Sequence, residues 1–189
     1  MKELRELWKE RIATVPPASL LFIDETGAKT NMTRLYGRAR KGVRAVDSAP
    51  GGQWHTTTLI AAIGLKGAIA PMVIEGATDT AVFTAYVKHV LAPELKPGMV
   101  VVMDNLPPHK MPAIATIIKE AGAELWYLPP YSPDFNPIEL MWSKVKAILR
   151  TIKARTEKDL HMAIAKALAL VSASDAKGWF RHCGVCIIY

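Results

Sequence analysis

The run Met99-Val100-Val101-Val102-Met103 constrains this chain more than any other stretch. Five apolar residues in a row, with no polar alternation, read as a short strand buried on both faces. Pro97-Gly98 resets the backbone before it, and Asp104-Asn105 ends it. Such a strand needs helices above and below, so the chain must supply an α/β core. With 189 residues, half of them hydrophobic, it is long enough for one sizeable domain.

The rest of the chain supplies the layers. Residues 1–14 place Leu4, Leu7, Trp8 and Ile12 on one face of a short amphipathic helix, ended by Pro16 and Pro17. The apolar stretch 20–23 leads as a strand into Asp24. Residues 29–53 are polar and carry Arg34, Arg38, Arg40, Lys41 and Arg44 between glycines, which predicts an irregular basic arm or a loose hairpin. Segments 55–65 and 68–76, joined at Lys66-Gly67, read as an antiparallel hairpin. Thr78 or Asp79 caps a helix reaching about residue 92, with Phe83, Val87, Val90 and Leu91 as its apolar stripe. Beyond the central strand come a helix at 110–121, a strand at 124–128, and helices at 137–152, 156–172 and 175–182.

This order predicts an α/β fold: a mixed five-stranded sheet with helices on both faces and extra C-terminal helices. The strands starting near 20 and 99 become neighbours. Asp24 and Asp104 then emerge side by side at the C-terminal edge, where open sheets place their sites. No repeat or composition break marks a second domain.

Glu139 joins these two acids from the start of the helix that follows Pro129-Pro130-Tyr131-Ser132-Pro133-Asp134-Phe135-Asn136-Pro137. Carboxylates held by strand ends and a helix start suit Mg2+ or Mn2+, which prefer hard oxygen ligands. Two such ions about 3.5–4 Å apart assist both the attacking and the leaving oxygen of a phosphodiester. Each acid also has a local use. Asp24 can cap a turn before Gly27, and Asp104-Asn105 can form an Asx turn. Asn136-Pro137-Ile138-Glu139 fits a capping box, with Asn at the cap and Glu three residues on. Glu75 is the substitute third ligand, Glu25 points to the opposite face of its strand, and Asp134 reads as turn chemistry.

Net charge is +7, with a pI near 9.5, which favours a polyanionic partner. Glu139, Ser143, Lys146, Arg150 and Lys153 share one helical stripe, with Met141, Val145, Ile148 and Ile152 on the buried side. A row of cations leading away from a carboxylate suits a phosphate backbone, although a solvated face has the same pattern. His109 is a candidate to touch phosphate or orient a water, or else a surface residue at a helix start. Arg38, Arg40 and Lys41 of the arm complete the candidate DNA contacts.

Cys183 and Cys186 lack the further ligands that zinc needs and read as two unpaired thiols. The charged N-terminus is no secretory signal. The apolar run 59–74 is broken by Gly64, Lys66, Gly67 and Pro71 and falls short of the ~20 residues of a membrane span. A soluble, cytoplasmic protein is expected. No GxGxxG or GxxxxGK[ST] supports a nucleotide-binding domain.

Ile23-Asp24-Glu25-Thr26-Gly27, the strand ending in Met103-Asp104-Asn105, and the stretch Leu128–Lys146 around Glu139 resemble the catalytic domain of mariner-like transposases of bacterial insertion sequences. The resemblance covers roughly 18–183. It implies a ribonuclease H-like fold with Asp24, Asp104 and Glu139 as the metal-binding and catalytic triad, holding two Mg2+ or Mn2+ ions. It also implies cut-and-paste transposition, in which water cleaves the transposon ends and the freed 3′-hydroxyl attacks target DNA. Residues 1–17 then read as a helix and linker remnant and 184–189 as an irregular tail. Such transposases carry helix-turn-helix modules ahead of this domain, so a separately encoded module and a second copy of the chain are expected partners beside DNA. The alternative is an inactive remnant that only binds DNA or another protein.

Overall fold

Strand β1, Leu20–Lys29, runs down the middle of the sheet, and its alternating side chains divide the core into two layers. Leu20 and Phe22 face one layer, while Leu21 and Ile23 face the other. The computed structural model describes residues 2–51 and 54–185, apart from the side chains of Pro107 and Pro108. Around β1 stand β2 (Thr56–Gly64), β3 (Gly67–Glu75), β4 (Val100–Met103) and β5 (Glu124–Tyr127), in the order β3-β2-β1-β4-β5. The β1–β2 and β2–β3 pairs are antiparallel; β1–β4 and β4–β5 are parallel. This is the mixed five-stranded sheet that the sequence predicts.

All four residues of β4 are buried, as an unbroken apolar run requires. β1 is longer than predicted, because β2 pairs with it as far as Lys29 opposite Thr56. In the β2–β3 hairpin, Gly67 adopts a φ of 119°, and a Cβ there would stand 3.1 Å from the Val171 carbonyl oxygen. Farther along, a bulge between Ile60 and Ala62 absorbs Ala70 and Pro71 on the edge strand, where a missing N–H is tolerated.

Helices α1 (Lys2–Ile12), α4 (Pro137–Ile152), α5 (Glu157–Ala169) and α6 (Ala173–His182) cover the Phe22 face. Helices α2 (Thr80–Tyr86) and α3 (Pro112–Glu120) cover the other. Asp79, rather than Thr78, caps α2 by accepting from the Val82 N–H at 2.8 Å. The single helix expected there changes pitch: a wider turn over Val87–Leu91 and a tighter one over Ala92–Glu94 follow α2. Phe180 of α6 meets Phe22 edge-on at 5.4 Å between ring centres. Trp8 of α1 meets Trp126 in the same way at 6.2 Å, so residues near both ends of the chain pack into one core.

On α4 the buried side is Ile138, Met141, Trp142, Val145 and Leu149. Ile152, expected with them, is 39% exposed. The helix stops there, with Lys153 in the left-handed conformation at φ 56°. Among the described residues, no helix is long and apolar enough to cross a membrane.

Candidate active site

Phe22 of β1 pairs with Val102 of β4, the last pair of their parallel ladder. Asp24 and Asp104 each lie two residues farther on, so both keep the side of the sheet that faces α4. Asp24 is mid-strand, with β1 continuing through Gly27, so it caps no turn. Asp104 lies just past the end of β4, and its Oδ1 accepts from the Leu106 N–H at 3.2 Å. The Asx-type bond expected from Asp104-Asn105 is thus formed.

Glu139 is exposed in the first turn of α4. The capping box expected around it is absent. Asn136 occupies the cap position, but its side chain bonds to no backbone N–H of the helix, and its buried Oδ1 has no partner. The carboxylate of Glu139 is therefore not engaged in holding its own helix. The preceding loop is fixed from a distance by Arg5 of α1, which reaches Ser132 Oγ at 2.9 Å and Asp134 Oδ1 at 3.0 Å and lies over the Phe135 ring. Sequence patterning offered no signal for this link, because Arg5 lies on the polar side of an amphipathic helix.

Asp24, Asp104 and Glu139 line a single cavity of about 360 Å³, walled also by Asn105, Leu106, Asn136 and residues 128–133. Tyr131 stands at its rim, 92% exposed and in a left-handed conformation at φ 54°. Glu75, the substitute ligand, ends the edge strand β3 and is not part of the wall.

Electrostatics separate the two aspartates. Burial pushes the Asp24 carboxyl up to about 7, and the charges of Glu139 and Asp104 add to that against the opposing Glu25 N–H and His109. Asp104 is held below the usual carboxylate range: burial raises it, but the hydrogen bond and charge of His109 outweigh that. His109 is lowered by burial, yet Asp104 and Glu25 carry it up to about 9.

The donor set is three carboxylates, the hard oxygen ligands that Mg2+ and Mn2+ take. Among the described residues no group of three His, Cys, Asp or Glu side chains is gathered around one point as a metal cluster. Divalent magnesium does not require one, since it is held by one or two carboxylates with water and substrate phosphate completing the shell. Three acids spread around one cavity suit that mode.

The profile of the DDE superfamily endonucleases matches residues 19–161. The chain belongs to that superfamily. The chain's fold resembles the Mos1 transposase paired-end complex with left transposon end at a TM-score of 0.76, with 14% identity over 96% of this chain and 56% of that one. It resembles the Mos1 mariner paired-end complex with Mn at 0.71 and 16% identity, covering 96% and 56%. The catalytic domain of Mos1 mariner transposase alone gives 0.66 and 14% identity, covering 96% of this chain and 84% of that domain. These likenesses establish the ribonuclease H-like fold. The chain spans little more than half the length of the longer transposase chains. No curated protein matches it.

In this DDE superfamily member the expected DNA contacts divide. Arg38, Arg40 and Lys41 lie on the arm, which has no regular structure between residues 32 and 51 and is exposed from residue 34 on. Lys146 and Arg150 are half-buried along α4. Lys153 bonds to Asp47 of the arm at 2.5 Å, and Arg155 donates to the Thr30 and Met32 carbonyls, so the arm is tied to the end of α4. His109 differs from its expected surface placement. It is 4% exposed, its ring sits on Phe83 with 4.3 Å between centres, and its nitrogens face Asp104 and Glu25. Glu25, set aside as facing away from Asp24, is there because its side of the sheet is the one where His109 is buried. Cys183 is a buried free thiol pushed up to about 11 by burial, and Cys186 lies outside the described residues.

Proposed function

We propose that this chain is the catalytic core of a mariner-like, cut-and-paste DNA transposase of the insertion-sequence type, with Asp24, Asp104 and Glu139 as its catalytic, metal-binding acids. The observation that carries the reading is their convergence on one cavity from two parallel strands and the start of a helix. The named Mos1 relatives include complexes with transposon ends and with Mn or Mg, which supports DNA and a divalent cation as partners here.

Two Mg2+ or Mn2+ ions, when bound, would activate the attacking oxygen and stabilise the leaving oxygen of a phosphodiester. Asp24 supplies a carboxylate whose proton is readily lost near neutral pH. Asp104 supplies one that is ionised throughout that range, and Glu139 completes the set from the first turn of α4. Arg38, Arg40, Lys41, Lys146, Arg150 and Lys153 are the candidate contacts for a phosphate backbone, and the arm and the end of α4 that carry them are joined at Lys153–Asp47. Recognition of particular transposon ends falls to a helix-turn-helix module outside this chain, and pairing of two ends to a homodimer. The substrate fits a cytoplasmic location.

The test is nicking and strand transfer on linear DNA with Mn2+ or Mg2+. Asp24→Ala, Asp104→Ala and Glu139→Ala should each lose orders of magnitude in rate, while Lys146→Ala should weaken DNA binding and reduce the salt slope by about one. Cleavage unchanged in all three acid variants would end the proposal. Salt-sensitive binding without cleavage would favour the inactive DNA-binding remnant.

A further inference from the structure

We propose that His109 is a positioning residue for Asp104, fixing which of its carboxylate oxygens is presented to a divalent cation. The proposal rests on the reading of Asp24, Asp104 and Glu139 as metal-binding acids. Asp104 lies beyond the final β4–β5 pair, Met103 with Tyr127, so no β4–β5 ladder bond holds its backbone. A carboxylate on such a segment turns freely about both side-chain torsions unless something holds it.

His109 is itself held on every side. Its ring stacks on Phe83 with an interplanar angle of 29°. Its carbonyl oxygen accepts from the Tyr127 hydroxyl at 3.0 Å. Nε2 lies 3.7 Å from Glu25 Oε1, an electrostatic contact rather than a hydrogen bond. Nδ1 is then directed at Asp104 Oδ1, 2.5 Å away. That same oxygen accepts from the Leu106 N–H, so two protein donors converge on Oδ1. Among the described residues none donates to Oδ2, which leaves it for a cation. Donation from Nδ1 is available to the charged ring and to one neutral tautomer, so the arrangement does not depend on a particular charge state.

The chemistry is that of an outer hydrogen-bond partner orienting a ligating carboxylate, whose loss typically costs about 10–100-fold in metal affinity. Its role differs from the phosphate contact expected of His109, because at 4% exposure the ring is buried rather than presented to the surface where a phosphate would approach.

The test uses Mn2+ binding to the whole purified chain without DNA, read by electron paramagnetic resonance of free Mn2+. An Asn amide nitrogen replaces Nδ1 in position, whereas that of Gln reaches toward Nε2. His109→Asn should keep the Mn2+ affinity within a few-fold, and His109→Gln should lose about 10–100-fold. Circular dichroism is to check that both variants are folded. A merely structural role would not separate two amides of such similar size in favour of Asn. Equal Mn2+ affinity in the two variants overturns the proposal, provided that Asp104→Ala abolishes binding. If Asp104→Ala binds Mn2+ as tightly as the parent chain, the assignment of the acids has failed instead, and the role of His109 falls with it. Should His109→Gln fail to fold, His109→Asn is compared with His109→Ser, which is too short to reach Oδ1. A loss in Ser but not in Asn supports the positioning role, and equal affinity refutes it.

Discussion

Arg5 in the first helix grips Asp134 in the loop before α4, with Nη1 3.0 Å from Oδ1 and Nη2 2.5 Å from Oδ2. The pair is partly exposed, and such pairs add little to global stability. Its effect is local, because the loop it holds walls the cavity and delivers Glu139. Arg5→Ala should speed amide exchange across residues 129–136 while leaving Leu20–Phe22 of β1 protected. Hydrogen exchange read by mass spectrometry checks this, and unchanged loop protection would remove the role given to Arg5.

Asp24 makes stability depend on pH in a definite window. Its folded value, about 7, lies above the ordinary aspartate value near 4, so folding favours the protonated form. The stability associated with that proton is complete below about pH 4 and lost as pH rises through 7. The carboxylates held low, Asp104 and Asp175 among them, act instead as pH falls below that window. Asp24→Asn should therefore flatten the decline between pH 4 and 7 and raise the melting temperature of the metal-free protein at pH 8. In the parent chain, Mn2+ affinity should fall about tenfold per pH unit below 7, since the proton competes for Asp24. Thermal melts and Mn2+ titrations across pH 5–8 read both.

Glu139 and Ser172 separate a proposed metal-binding residue from a cap. Glu139 sits behind a cap residue whose side chain makes no bond to the helix, whereas Ser172 and Asp175 form a complete capping box on α6. Glu139→Ala should change the unfolding free energy by less than about 0.5 kcal/mol. Ser172→Ala should cost about 1 kcal/mol. Urea unfolding decides; a Glu139→Ala loss as large as that of Ser172→Ala would return Glu139 to a structural role.

Phe22 and Phe180 test whether α6 belongs to the same folding unit. Both are fully buried and their rings meet edge-on. Phe22→Ala or Phe180→Ala should cost about 3–5 kcal/mol in a single cooperative transition. Two separate transitions in Phe180→Ala, with the sheet unaffected, would make α6 an independent appendage.

The unbroken apolar run 99–103, the 66–67 turn and the helical stripe from 138 to 149 made the mixed sheet, its hairpin, the β1–β4 neighbours and most helices legible from the sequence. Periodicity read them because burial on one or two faces leaves a regular trace. It failed where partners are distant in the chain. The extension of β1 to Lys29 depends on β2, the pitch change after Tyr86 on packing, and the buried setting of His109 on Phe83, Tyr127 and Glu25. The capping box expected at Asn136 did not form, since the side chain of Asn136 is buried beside the cavity and bonds to no N–H of the helix.

The sequence by itself singled out the three candidate acids and the elements that bear or precede them, because strand and helix patterns are local and each aspartate follows an apolar run. Only the tertiary structure decided that Glu139 shares a cavity with both, that Asp24 is desolvated while Asp104 is held ionised, that Arg5 bonds to the loop before α4, and that His109 bonds to Asp104. Those features depend on which distant side chains are brought within a few ångströms, and such distances are set by packing rather than by order along the chain.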